Sequence, residues 1–126
     1  MWLLSTTGFV SVVCKPADVA RGTLTVRARV RRDLEDLRDR WLPELGEIVE
    51  TRLADYGYRA FVPRDAFAAG LQRLALGIDY DNFKHAVRRA QGDDRAGLYA
   101  EVWSLLTVLA SEDHEWSGPD AGHGSS

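Results

Sequence analysis

The chain has one cysteine, one methionine, four prolines and three histidines in 126 residues. A single cysteine excludes any intramolecular disulfide, and a disulfide-stapled scaffold with it. Two of the histidines, His114 and His123, fall in the last thirteen residues, leaving His85 alone within the body. A preorganised His-based triad or a three-His zinc site is therefore not expected. No apolar run approaches the length of a membrane span. The opening MWLLSTTGF has no basic region ahead of a long apolar stretch, so it does not read as a secretion signal. No Gly-rich phosphate loop with the G-x-x-x-x-G-K-[ST] spacing occurs. Cofactors and metals are expected to be absent, and the expected location is cytoplasmic.

Lysine is scarce too. Lys15 and Lys84 stand against fourteen arginines. That bias follows from a GC-rich coding sequence, or it marks a surface where forked guanidinium groups meet a planar anion. The net charge of -3 is unevenly placed. Residues 111–126 carry four acids and no Lys or Arg, and the rest of the chain holds 16 basic against 15 acidic side chains. Gross charge therefore predicts neither nucleic acid nor membrane as partner.

What is present is a change of period near residue 62. Leu24, Val26, Ala28 and Val30 alternate with Thr23, Thr25, Arg27, Arg29 and Arg31. That is a strand with one face in a core. Later, Leu98, Val102, Leu105, Leu106 and Leu109 recur at helical spacing. Residues 2–5 and 9–14 read as two strands around Gly8, residues 15–22 as a loop, and residues 57–62 as a further strand. Cys14 reads as a small hydrophobe within its strand. Helices are expected from Asp33, from Pro63 and Asp65, from Asp79 and over roughly 94–110. Residues 44–56 stay ambiguous between a short helix and an irregular connection.

The fold class is α+β, in the order β-β-β-α-β-α-α-α. A mostly antiparallel sheet of about four strands carries helices packed on one face. Residues 1–110 form one domain, and 111–126 a disordered acidic, Gly/Ser-rich tail with Trp116 as its one unusual residue. Val26 and Leu105 are expected to share one interior.

Three segments together, STTGFVSVV, DYGYRAFV with IDYDNFKHAV, and LYAEVWSLL, carry a resemblance. The chain resembles a family of short, uncharacterised bacterial proteins, notably actinobacterial, and phage proteins. Its members share STxGFxSVV, RxRV, YxNFK and YxxVW motifs. The resemblance spans about residues 3–106 and implies a small self-contained domain, with no activity attached.

Three candidate sites emerge. Tyr80, Asn82 and Lys84 in DYDNFK could together hold a phosphate or a base edge, although a helix cap with packed aromatics explains the same residues. Arg27, Arg29 and Arg59 form a row on the outer sheet face, with Thr25 beside them. Of Tyr58 and Phe61, only Phe61 can share the face of Arg59. RNA-recognising sheets interleave aromatics with such cations, and residues 23–31 supply none. The turn Ser5–Gly8 could cradle an anion, although turn chemistry accounts for it. The favoured reading is a non-enzymatic interaction or regulatory module that binds a protein partner or self-associates, with Trp2 and Leu3 on an edge strand that another copy could pair. The alternative is a nucleic-acid or nucleotide-binding domain. A third reading, an enzyme on a phosphate-containing substrate, requires Tyr58, Arg59, Tyr80 and Lys84 to converge.

Overall fold

A computed structural model describes residues 1–115. The strands are β1 (Trp2–Leu4), β2 (Phe9–Val13), β3 (Thr23–Ala28), β4 (Val49–Glu50) and β5 (Tyr58–Pro63). The helices are α1 (Pro16–Arg21), α2 (Arg31–Arg40), α3 (Arg64–Leu76), α4 (Phe83–Gln91), α5 (Asp93–Leu106) and α6 (Val108–Glu115). The strands form one antiparallel sheet in the order β1-β2-β3-β5-β4. The α+β class is therefore as the sequence indicates, with a fifth, two-residue strand drawn from the ambiguous 44–56 stretch.

Side-chain alternation divides the sheet. Val10, Val12, Leu24, Val26, Ala28, Ala60 and Val62 enter the main core, where Leu34 and Leu37 of α2 and Phe67 of α3 cover them. Leu42, Leu45 and Ile48 in the following connection close the same core. The opposite face carries Trp2, Leu4, Phe9, Ser11, Thr25, Arg27, Arg59 and Phe61.

The loop expected over residues 15–22 contains a helix. Pro16 sits in the first turn of α1, and Gly22 ends it with φ of 67°, a conformation glycine adopts without a side-chain penalty. The helix is held by Asp18 rather than by an apolar stripe; Val19 points to solvent. Asp18 accepts from the Lys15 N–H at 2.8 Å, the Thr23 hydroxyl at 2.6 Å and the Thr25 hydroxyl at 2.7 Å. Thr25, expected on an open face, is therefore buried under α1. Cys14 lies just past β2 and is exposed, not packed as a small hydrophobe.

The later helices depart further from expectation. Asn82, not Asp79, caps α4; its side chain accepts from the His85 N–H at 2.9 Å. The hairpin α4–α5 does not join α2 and α3. It packs through Val87, Ala96 and Tyr99 against Leu4 and Phe9, on the other side of the sheet. Val26 is fully buried while Leu105 is 75% exposed, so the common interior expected for them does not exist. Helix α6 runs to Glu115, which places residues 111–115 in a helix rather than a disordered tail. Trp116 and the remainder of that tail lie outside the described residues.

Burial works to raise the pKa of the Asp18 carboxyl, but its two threonine hydroxyls, the Lys15 N–H and the charge of Arg21 outweigh it and hold the pKa below the ordinary value. A depressed carboxyl stabilises the fold above its unfolded pKa, and that contribution is lost as pH falls through the folded value. As pH falls below the ordinary carboxyl range, urea midpoints of the native chain should fall more steeply than those of Asp18→Asn. Parallel slopes would show that Asp18 does not anchor α1.

Candidate functional site

Strand register places one transverse row across the open face. Trp2 pairs with Ser11, Ser11 with Arg27, Arg27 with Arg59, and Arg59 with Val49. Residues directly opposite in an antiparallel pair project to the same side, and like charges there repel. Arg27 and Arg59 are such a pair. Neither they nor Arg29 makes an ion pair among the described residues.

Other contacts hold Arg27 and Arg29. Arg27 donates from Nη2 to the Ser11 hydroxyl at 2.8 Å. The guanidinium carbons of Arg27 and Arg29 stand 4.5 and 4.9 Å from the Tyr56 ring centroid, within cation–π range. The Tyr56 ring is itself tilted on Phe9 at 6.3 Å, and Phe9 meets Trp2 edge-on at 5.3 Å. An aromatic row thus runs beside the arginines, and Phe61 lies partly exposed next to Arg59 on β5. The Nε atoms of Arg27 and Arg59 are buried without an acceptor among the described residues. The face has surplus donors and positive charge.

Two helical units frame it. Helix α1 covers the Thr23–Thr25 end, and the hairpin α4–α5 covers Leu4 and Phe9. The hairpin is anchored by Asp33 of α2. One Asp33 oxygen, Oδ2, accepts from the Phe9 N–H at 3.0 Å and from Arg95 Nη1 at 2.9 Å. Burial disfavours the Arg95 charge, but the Asp33 carboxylate that accepts its hydrogen bond outweighs that and raises its pKa. Burial is also the main reason the Tyr99 phenol is pushed up. Gln91 of α4 adds donor contacts to the Ser5 and Thr6 carbonyls, at 3.3 and 2.6 Å.

The Ser5–Gly8 turn is consumed by these contacts. Ser5 Oγ accepts from the Thr7 N–H at 3.1 Å, and the Thr7 hydroxyl accepts from Trp41 Nε1 at 2.8 Å. Its polar groups serve the fold and are not arranged to cradle an anion.

Of the other expected site residues, Tyr58 lies on the core face, packed against the main cluster. It pairs with Ala28 and Glu50 and points away from its neighbour Arg59. Asn82 is spent as a helix cap. Tyr80 precedes α4, so Tyr80 and Lys84 are not one turn apart on a helix face. Tyr80 instead packs on Phe83 at 6.0 Å, and Phe83 stacks on Tyr99 at 6.0 Å. An open cleft of about 700 Å³ beside α4 mixes Asp79 and Asp81 with His85, Arg88 and Arg89. It includes neither Arg59 nor Lys84. The convergence that an enzyme on a phosphate substrate would need is missing. Among the described residues no three His, Cys, Asp or Glu side chains are placed to hold a metal ion, and no helix is long and apolar enough to cross a membrane.

The site residues that sequence reasoning does not assign to this face are Trp2 and Phe9; Tyr56 it names only as polar pocket lining with Tyr58 and Arg59. Parity could have placed the first two, because an inward Leu3 turns Trp2 outward and an inward Val10 turns Phe9 outward. Tyr56 belongs to an irregular connection with no periodicity to read. No family model matches this chain, and comparison with curated proteins and with solved structures likewise returns no match.

The Asp33 anchor makes a sharp demand on Gly8. Gly8 has φ of 152°, and a Cβ built there would stand 2.6 Å from the Asp33 carboxylate. Asp33→Ala, which strands the largely buried Arg95, should destabilise the fold by about 3 kcal/mol. Gly8→Ala should cost about 2 kcal/mol from backbone strain and overlap. The double variant should be less destabilised than the sum, because the first change removes the two nearest atoms the second one strikes, Cγ and Oδ1. Strict additivity in urea unfolding would contradict the contact.

Proposed function

We propose that this protein is a small binding module and that the Arg27–Arg59 face of the sheet receives a single-stranded polyanion, a nucleic acid segment. The observation that carries the reading is the run of three arginines with no carboxylate partner among the described residues. Guanidinium forks suit phosphate, and the flanking rings offer stacking surfaces that tolerate any base. Two buried Nε donors without acceptors are the kind of unmet demand that an incoming oxygen fulfils. The aromatic component absent from residues 23–31 is provided by the exposed rings of Trp2 and Phe61, with Phe9 and the buried Tyr56 packed behind Trp2.

Binding rather than chemistry is supported by the scatter of Tyr58, Arg59, Tyr80 and Lys84. The exposed apolar side chains of α5 and α6 favour a second reading, a protein partner covering that helix.

Fluorescence anisotropy with short labelled single strands tests the first reading. Affinity should fall linearly on a log–log salt plot, with a slope set by a few phosphate contacts. Arg27→Ala with Arg59→Ala should weaken binding by tenfold or more, corresponding to at least about 1.4 kcal/mol. Phe61→Ala should weaken it with an unchanged salt slope. Binding that ignores both salt and the arginine changes would refute the assignment.

A further inference from the structure

We propose that the chain pairs with a second copy of itself, the α5–α6 segment of each lying antiparallel to the other across a two-fold axis. The inference narrows the second reading above from a protein partner to this same chain, and it rests on that reading.

Only the first half of this segment is used within the monomer, through Ala96 and Tyr99. Beyond it, Leu105 is 75% exposed and Leu106, Val108 and Leu109 are each more than half exposed. Leu98, Val102, Leu105 and Leu109 are spaced by four, three and four, the seam spacing of paired helices. Leu98, Leu105, Leu106 and Leu109, with the exposed Trp2 across the cleft, offer on the order of 600 Å². A standard interface needs about 800 Å² from each partner.

A receptor for this segment lies on the same chain. Between α5 and the sheet runs a cleft of about 370 Å³. Trp2, Leu4 and Phe9 form one wall, and Leu98 and Val102 the other. Arg29 and Arg95 stand at its polar end with Asp33. The cleft is apolar along its length and carries a net positive charge at one end. The protruding half of the helix is apolar along its length and acidic at its end, where Glu112 and Asp113 are exposed and make no ion pair among the described residues.

Antiparallel register about a point midway between Val102 and Leu105 sets Leu98 against Leu109 and Val102 against Leu105. The same register brings Glu112 to Arg95, with Arg29 beside it. The leucines of each copy then fill the cleft of the other, a self-complementary contact of the kind a closed dimer requires. A parallel pair would stack the acidic ends on each other and leave both clefts empty.

Light scattering and sedimentation on the full chain, free of nucleic acid and over a micromolar to hundred-micromolar series, should give a dimer mass. Leu105→Glu with Leu109→Glu should give a monomer with unchanged circular dichroism, since neither side chain is buried in the monomer. Glu112→Arg should weaken pairing severalfold, and adding Arg29→Glu in the same chain should restore it. In a Cys14→Ser background, Leu98→Cys chains mixed with Leu109→Cys chains should cross-link on oxidation, and neither should do so alone. A monomer at every concentration, or self-cross-linking of Leu109→Cys alone, overturns the pairing. Such a monomer would leave the wider reading of α5–α6 as a protein surface in place. That reading fails separately if Leu105→Cys in the monomer resists thiol reagents, because the helix would then be covered by its own chain.

Discussion

The arrangement depends on one buried carboxylate. Asp33 is 3% exposed, and an isolated charge at that depth would cost several kcal/mol. It is tolerated because two donors from distant parts of the chain converge on one oxygen, the Phe9 N–H and the Arg95 guanidinium. Those donors come from β2 and α5, and Asp33 itself from the first turn of α2. A single group therefore fixes the position of the hairpin α4–α5 relative to the sheet. Little else does so. The apolar contact beneath the hairpin is a small cluster around Val87, Ala96 and Tyr99. Gln91 and the Ser5–Thr6 carbonyls add directionality but little burial.

That anchor decides which part of the sheet stays open. With α2 and α3 on the core face, the opposite face would be a full row of exposed strands. Asp18 draws α1 over Thr23 and Thr25 at one end, and Asp33 draws the hairpin over Leu4 and Phe9 at the other. What remains is the stretch holding Arg27, Arg29 and Arg59. Buried or half-buried arginines usually come with carboxylates. Here the two buried acids, Asp18 and Asp33, are committed to holding helices. Tyr56 and Ser11 take their place, stabilising the guanidinium groups without neutralising them. The positive charge is left without an ionic partner among the described residues.

Much of the core was legible in the sequence, and the reason is local. Leu24, Val26 and Ala28 repeat with period two, and Leu34, Leu37, Phe67 and Leu71 at helical spacing, so each element's inward face follows from its own residues. The destination of an amphipathic helix does not follow in that way. The stripe Leu98–Leu109 is a sound helical pattern, but spacing does not say whether the apolar face meets the chain's own sheet or another molecule. The short helix α1 was hidden because six residues carry no periodic stripe; Pro16, Asp18 and Gly22 mark its ends but read equally well as loop punctuation. At the site, Arg27, Arg29 and Arg59 were legible from parity alone. The same parity turns Tyr58 away from that face, whereas the role of Asn82 was not legible, because capping of α4 depends on where the helix starts.

Charge distribution links the open face to the helix that projects from the body. The chain as a whole is negative, which would repel a polyanion if the charge were spread evenly. It is not spread evenly. Glu112 and Asp113 lie at the far end of the α5–α6 segment, while Arg27, Arg29 and Arg59, which make no ion pair among the described residues, lie on the sheet and at its cleft. Over a Debye length of about 8 Å at physiological salt, an approaching phosphate senses the nearest groups rather than the net charge. The sign of the whole chain is therefore a poor guide to its partner, and the sign of one sheet face a better one. The acids on the projecting helix meet a need of a different kind, since an apolar segment exposed on a monomer requires charges nearby to choose its partner and orientation. Cations on the platform and anions on the projection make the two surfaces complementary to each other, so a polyanion and the projecting segment would compete for the Arg29 end of the cleft.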